Sequence, residues 1–198
     1  MRKQPEVTER TRAALADAFW ELYAGADGEA PLSIEKISVR AVTERAGYNR
    51  ATFYLYFRDV YDLLGQIEER VLDAARAVVE GRLMAADELD LSQHMGYIAK
   101  LAQGSGDYFA VLMGPHGDPA FAARFKALVR PLVERFLVAD DERDPAARDL
   151  LCEFYLSGLV AVVGRWVSEY PEMPIEEFIP LVVGRLASGA ARGRSEVK

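Results

Sequence analysis

Apolar residues recur at helical spacing along almost the whole chain. Leu15, Ala18, Phe19 and Leu22 form one stripe, and Val39, Val42 and Ala46 form a second. Val60, Leu63, Leu64, Ile67 and Val71 form a third that runs on towards Leu83, and Leu91, Met95, Ile98 and Ala102 a fourth. Gly104-Ser105-Gly106 interrupts the pattern before a short apolar piece from Tyr108 to Met113. Phe121, Phe125, Leu128, Leu132 and Phe136 then mark a helix that Pro131 is expected to kink. Asp118-Pro119 and Asp144-Pro145 each place a capping side chain before a proline suited to the first helical position. Pro171, Pro174 and Pro180 punctuate the approach to a final helix carrying Phe178, Leu181, Val182 and Leu186. The pattern predicts an all-α chain.

The helix expected from Pro145 to Tyr170 is apolar over most of its girth. One face reads Leu151, Tyr155, Gly158, Leu159, Val162 and Trp166, and a flank reads Leu150, Phe154 and Ala161. Such a helix needs two packing surfaces. One is its own bundle. The other is either a partner subunit, covered together with the final helix, or a second layer of the same chain.

Residues 38–57, SVRAVTERAGYNRATFYLYF, carry the densest local signal. Ser38 can cap a short helix, and Gly47 stands where that helix must stop with left-handed backbone angles. Asn49 can cap a second helix opening at Arg50. By local propensity Thr52 to Phe57 suits a strand as well as a helix, because it alternates and is rich in β-formers. No partner strand is signalled nearby, and Phe53 and Phe57 at i, i+4 make a core face, so the reading goes to helix. Two short helices joined by a tight turn, with an arginine and hydroxyls on the second, suit the major groove of DNA.

The same residues resemble the TetR family of bacterial transcriptional regulators. The likeness covers residues 8–70 in four parts: Thr11-Arg12-Ala13-Ala14-Leu15, Ser38-Val39-Arg40-Ala41-Val42, Ala46-Gly47 through Phe57, and Asp59-Val60-Tyr61-Asp62-Leu63-Leu64. The chain departs from the family pattern with Asn49 for serine, Ala51 for glycine, Tyr56 for histidine and Val60 for the lysine that commonly meets a phosphate. Ala26 to Pro31 is a turn-rich insert before the second helix. The resemblance implies an N-terminal three-helix DNA-binding domain with a helix-turn-helix (residues 1–58). It further implies a C-terminal helical bundle for ligand binding and dimerisation (residues 59–198). It implies DNA contacts from Ser38, Arg40, Tyr48, Asn49, Arg50, Ala51, Thr52, Tyr54 and Tyr56, with Arg58 as a substitute phosphate contact. It also implies an effector cavity lined from Tyr97, Leu101, Tyr108, Phe109, Met113, His116, Phe125, Tyr155 and Trp166. That apolar and aromatic set favours a mostly apolar, neutral or cationic ligand.

Charge complicates the DNA reading. The chain carries a net −7. Residues 1–58 hold nine Lys/Arg against eight Asp/Glu, while residues 59–198 hold 15 against 23. The acidity is therefore mostly in the second domain, but the first is barely basic. Affinity would have to come from placed arginines and backbone amides instead of a general positive field.

Other classes find little support. His94 and His116 lie 22 residues apart without an acidic partner at helical spacing, and no nucleophile–base pair, phosphate loop or metal cluster can be found. No catalysis, cofactor or metal is expected. Cys152 has no second cysteine to pair with, which excludes an internal disulfide and fits a reducing compartment. Met1-Arg2-Lys3 is followed by no apolar run, so no secretion signal is expected. Leu156 to Val163 is too short to span a membrane, which takes ~20 apolar residues. The expectation is a cytoplasmic regulator that binds a palindromic double-stranded operator as a homodimer through its two C-terminal helices, under an unknown small-molecule effector. The alternative is an acidic helical module that binds small molecules or proteins without an operator.

Overall fold

Caps and glycine turns set the helix ends in the computed structural model, which describes residues 5–26, 28–84, 108–114, 117–138, 144–170, 172–178 and 180–182. Every regular element among the described residues is helical. In chain order these are α1 (Pro5–Ala24), a 3-10 turn (Ile34–Lys36), α2 (Val39–Ala46), α3 (Arg50–Phe53) and α4 (Val60–Val78). A π-type turn (Val79–Leu83) continues α4, and α5 (Tyr108–Met113), α6 (Pro119–Phe136) and α7 (Pro145–Glu169) follow. Short helical stretches at 175–178 and 180–182 complete the described chain. The stripe from Leu91 to Ala102 and the position of Leu186 lie outside the described residues.

The chain divides into two compact units, Met1–Arg70 and Val71–Lys198, with the division inside α4. In the first unit α1 packs on α2 and α2 on α3. Leu15, Phe19, Val42, Phe53, Phe57, Leu63 and Ile67 supply its buried side chains. Each such side chain gains about 1.5–3 kcal/mol from leaving water. Two sequence expectations shift here. The α2 stripe buries Thr43 more fully than Val39 or Ala46. Its hydroxyl can be buried because it donates back to the carbonyls of Val39 and Arg40 at 2.9 and 3.0 Å. The second helix of the pair is also shorter than expected, because α3 closes after four residues. The chain then turns: Leu55 and Tyr56 donate to carbonyls three residues back, and Phe57 to that of Phe53. The β-rich run weakens the helix. Phe53 and Phe57, with ring centroids 5.4 Å apart, pin the turn to the core.

In the second unit one core cluster joins Val79 and Leu83 of the π-type turn to Val129, Leu132 and Val133 of α6 and to Cys152 and Leu156 of α7. Asp118 and Asp144 cap α6 and α7 as their Asp-Pro pairs predict, accepting from Ala120 N at 2.8 Å and Ala146 N at 3.0 Å. α6 runs through Pro131, whose ring is exposed. α7 buries one side of its apolar girth and leaves another exposed. Cys152, Leu156 and Val163 face the core, while Leu151 and Val162 are exposed together with Leu150 and Phe154. A helix apolar on nearly every side leaves the choice of inward face to its neighbours. At Gly164 a Cβ would lie 2.8 Å from the Met113 carbonyl, so glycine lets α5 approach α7 closely.

Candidate nucleic-acid interface

The α2–α3 pair is built almost wholly from backbone amides satisfied at its ends. Ser38 Oγ accepts from Ala41 N at 3.1 Å and starts α2. Gly47 ends it at φ 72° and ψ 27°, left-handed angles that a side chain would strain. Tyr48 N then reaches back to the Thr43 carbonyl at 2.9 Å, which seals the helix end. Asn49 is extended, and its Oδ1 accepts from both Thr52 N (2.8 Å) and the Thr52 hydroxyl (3.1 Å). One side chain thus starts α3 and holds Thr52 in place.

This geometry leaves a shallow groove of about 390 Å³ lined by Arg40, Thr43, Glu44, Tyr48, Asn49 and Arg50. Arg50 is exposed in it and makes no ion pair among the described residues. Arg40 gives its Nε–H to Glu44 Oε1 at 2.6 Å. Both side chains are exposed, at 68% and 62%. Thr43 and Glu44 were not among the expected site residues, although the i, i+4 spacing of Arg40 and Glu44 is a readable signal for a pair.

The remaining predicted contacts separate. Ala51 and Tyr54 are exposed next to Arg50. Tyr56 is half-buried with its hydroxyl oxygen out of solvent, so it presents no polar atom to the surface. Arg58 is 86% exposed but bound to Asp62, through its backbone N–H at 2.9 Å and its guanidinium at 3.3 Å. The Arg58 backbone N–H is the main cause that holds the Asp62 carboxyl below its ordinary range, with Gln66 and the Arg58 guanidinium adding to it against partial burial. Asp59 Oδ1 accepts from Asp62 N at 2.8 Å and caps the first turn of α4. Val60, which stands where the TetR family has lysine, is 7% exposed and belongs to the core.

In the second unit, Tyr97, Leu101 and His116 lie outside the described residues. Phe109 meets Phe125 with centroids 5.1 Å apart and Phe121 at 6.5 Å. Tyr108 is half-buried beside Phe109 on α5, and Met113 is buried at the far end of that helix. Tyr155 and Phe125 both border the core cluster. Trp166 is engaged elsewhere: its indole N–H donates to the Met173 carbonyl at 2.9 Å, and its ring stacks on Phe178 at 4.3 Å and 12°. The structure therefore brings Phe109 and Phe125 together and sets Trp166 in a different contact. Among the described residues no group of three His, Cys, Asp or Glu side chains could hold a metal ion, and no helix is long and apolar enough to cross a membrane.

Comparison with known proteins matches the second unit by sequence and the whole chain by fold. Residues 90–183 match the family model described as a transcriptional regulator C-terminal region of the TetR type. A TetR transcriptional regulator from Streptococcus agalactiae 2603V superposes with a TM-score of 0.63 at 22% identity, over 91% of this chain and 96% of that one. The fatty acid degradation regulator FadR from Bacillus halodurans gives 0.62 at 15% identity, over 96% and 98%. No curated protein matches. The chain has the all-helical fold of these regulators, and residues 90–183 are similar to their C-terminal region.

Proposed function

We propose that this TetR-like chain is a homodimeric transcriptional repressor that reads a palindromic operator through α2 and α3 and is released by a small, mostly apolar effector. The observation that carries the reading is the α2–Gly47–α3 unit. Its three caps hold a short helix whose exposed side offers Arg50, Tyr54 and the Arg40 groove. A helix of this kind enters a major groove by its N-terminal residues, and two copies reading half-sites about one DNA turn apart give a palindromic site. Arg50 meets a base edge or the adjacent phosphate. Ser38, Tyr48, Asn49 and Tyr54 set the register on the backbone, and Arg58 is a phosphate contact only if it leaves Asp62. Tyr56 supports this surface from beneath.

The dimer reading rests on the outer side of α7. Leu150 and Phe154 are each 70% exposed, and Leu151, Val162 and Leu181 are exposed as well. A second copy would take this apolar face out of water. The effector reading rests on the aromatic contacts of Phe109, Phe121 and Phe125. An effector acts by preferring one of two shapes of the dimer, and α4 is the covalent route between the units. No catalytic role is assigned, and a regulator of this kind works in the cytoplasm.

The test is a selection of genomic DNA fragments on the purified chain, followed by affinity measurements on the recovered duplex. A guanine contact by arginine is worth ~1–3 kcal/mol, so Arg50→Ala should weaken that duplex by roughly tenfold or more while fold and dimer persist. Equal binding by Arg50→Ala would show that α3 is not the reading helix. The buried Val60 and the carboxylate paired to Arg40 favour a second reading, a helical binding module without an operator. Failure to enrich any duplex, with an intact dimer, would select it.

A further inference from the structure

The Arg40–Glu44 pair is an unusual thing to find in a groove meant for DNA. A carboxylate there opposes phosphate and lowers the general affinity for any duplex. Glu44 is also exposed, at 62%, and the first unit's core does not need it. Yet the pair is well formed, with the Arg40 Nε 2.6 Å from Glu44 Oε1. The atom used matters. A guanidinium can present either its Nε side or its two terminal nitrogens as a fork. With Nε committed to Glu44, the two terminal nitrogens remain as a fork on a side chain that is 68% exposed. That end-on fork matches the O6 and N7 acceptors of guanine in the major groove.

We propose that Glu44 is a specificity-determining positioning residue, which holds Arg40 by Nε so that its terminal nitrogens read one guanine and which penalises duplexes lacking it. This rests on the DNA-binding reading of α2 and α3. Loss of the Glu44 carboxylate releases Arg40 to follow phosphates, so discrimination falls while general affinity rises. Glutamine keeps an acceptor oxygen for Nε and should preserve the orientation.

The full chain is used to enrich a randomised duplex pool, and each guanine of the recovered duplex is replaced in turn by 7-deazaguanine, which lacks the N7 acceptor. Arg40→Ala should abolish sensitivity at one guanine per half-site and so identify it. At that guanine Glu44→Ala should lose most of the discrimination, of the roughly 5–150-fold that a good bidentate contact supplies, while binding an unrelated duplex more tightly. Glu44→Gln should stay close to the parent. If Glu44→Ala changes both duplexes by the same factor, Glu44 is only a repelling charge and the proposal is wrong. It is equally wrong if Arg40→Ala leaves every guanine as sensitive as before. A pool that yields no enriched duplex would instead overturn the DNA-binding reading, and this inference with it.

Discussion

Removing the Asn49 side chain should separate two roles that the structure combines in one atom. Asn49 Oδ1 accepts from the Thr52 amide and the Thr52 hydroxyl. Loss of an N-cap costs about 1 kcal/mol, within a range of ~0.5–2. α3 has four residues and few interior bonds to compensate, so Asn49→Ala should fall in the upper part of that range. The Thr52 hydroxyl adds little, because water replaces its lost acceptor. For a chain of this length each kcal/mol lowers Tm by about 2–4 °C. Asn49→Asp keeps the acceptor and adds a negative charge at a helix N-terminus, favourable by ~0.3–1 kcal/mol. That same charge stands next to Arg50 in the groove. Thermal unfolding and duplex affinity are measured on the same preparations of parent, Ala and Asp variants. The Ala variant should melt lower and bind weakly. The Asp variant should melt close to the parent and still bind weakly. An Ala variant as stable as the parent would refute the cap argument. An Asp variant that binds as tightly as the parent would refute the placement of this groove against DNA.

Three further outcomes follow from other parts of the chain. Val162→Glu or Leu181→Glu places a charge on a surface that is already exposed in the single chain, so each should yield folded monomers with poor duplex binding, seen by sedimentation; a dimer that survives both would place the interface elsewhere. Cys152 is 0% exposed and burial raises its thiol pKa, so a thiol reagent at neutral pH should label it only when the protein is unfolded. Asp62 is held below its ordinary value of 3.8. Its contribution is therefore full above that value and lost as pH falls through the lower folded pKa. Asp62→Asn should flatten the acid limb of the stability curve, and an unchanged limb would show that other carboxylates set it.

What the sequence revealed depended on how local the determining physics was. Ser38, Gly47 and Asn49 were readable because a cap or a left-handed stop is decided within four residues. The Asp-Pro starts of α6 and α7 were readable for the same reason. The early end of α3 was not, because it balances weak helix propensity against the burial of Phe53 and Phe57, which only the folded unit settles. The inward face of α7 was hidden by its near-uniform apolarity, and the close approach of Gly164 to the Met113 carbonyl joins residues distant in sequence. Phe109 and Phe125 of the expected lining set are in contact, whereas Trp166 of the same set meets other groups. Its partners, Phe178 and the Met173 carbonyl, lie just downstream and could not be ranked above the others by periodicity.

Three arginines of the near-neutral residues 1–58 are paired in the structure. Arg40 is paired with Glu44, Arg45 with Glu29 and more distantly with Glu21, and Arg58 with Asp62. Each pair weakens the diffuse positive field that would draw any duplex. A surface pair of this kind adds little stability, on the order of 0–1 kcal/mol, so the four pairs these three arginines make say little about what holds the unit together. A surface that attracts all DNA equally needs mobile, unpaired lysines. A surface that must reject most sequences gains from arginines whose free edges are set in advance, with the nearby carboxylates as the penalty for a wrong fit. On the proposed reading, Arg50, with no ion pair among the described residues, would bring the duplex in, and the paired arginines would test it.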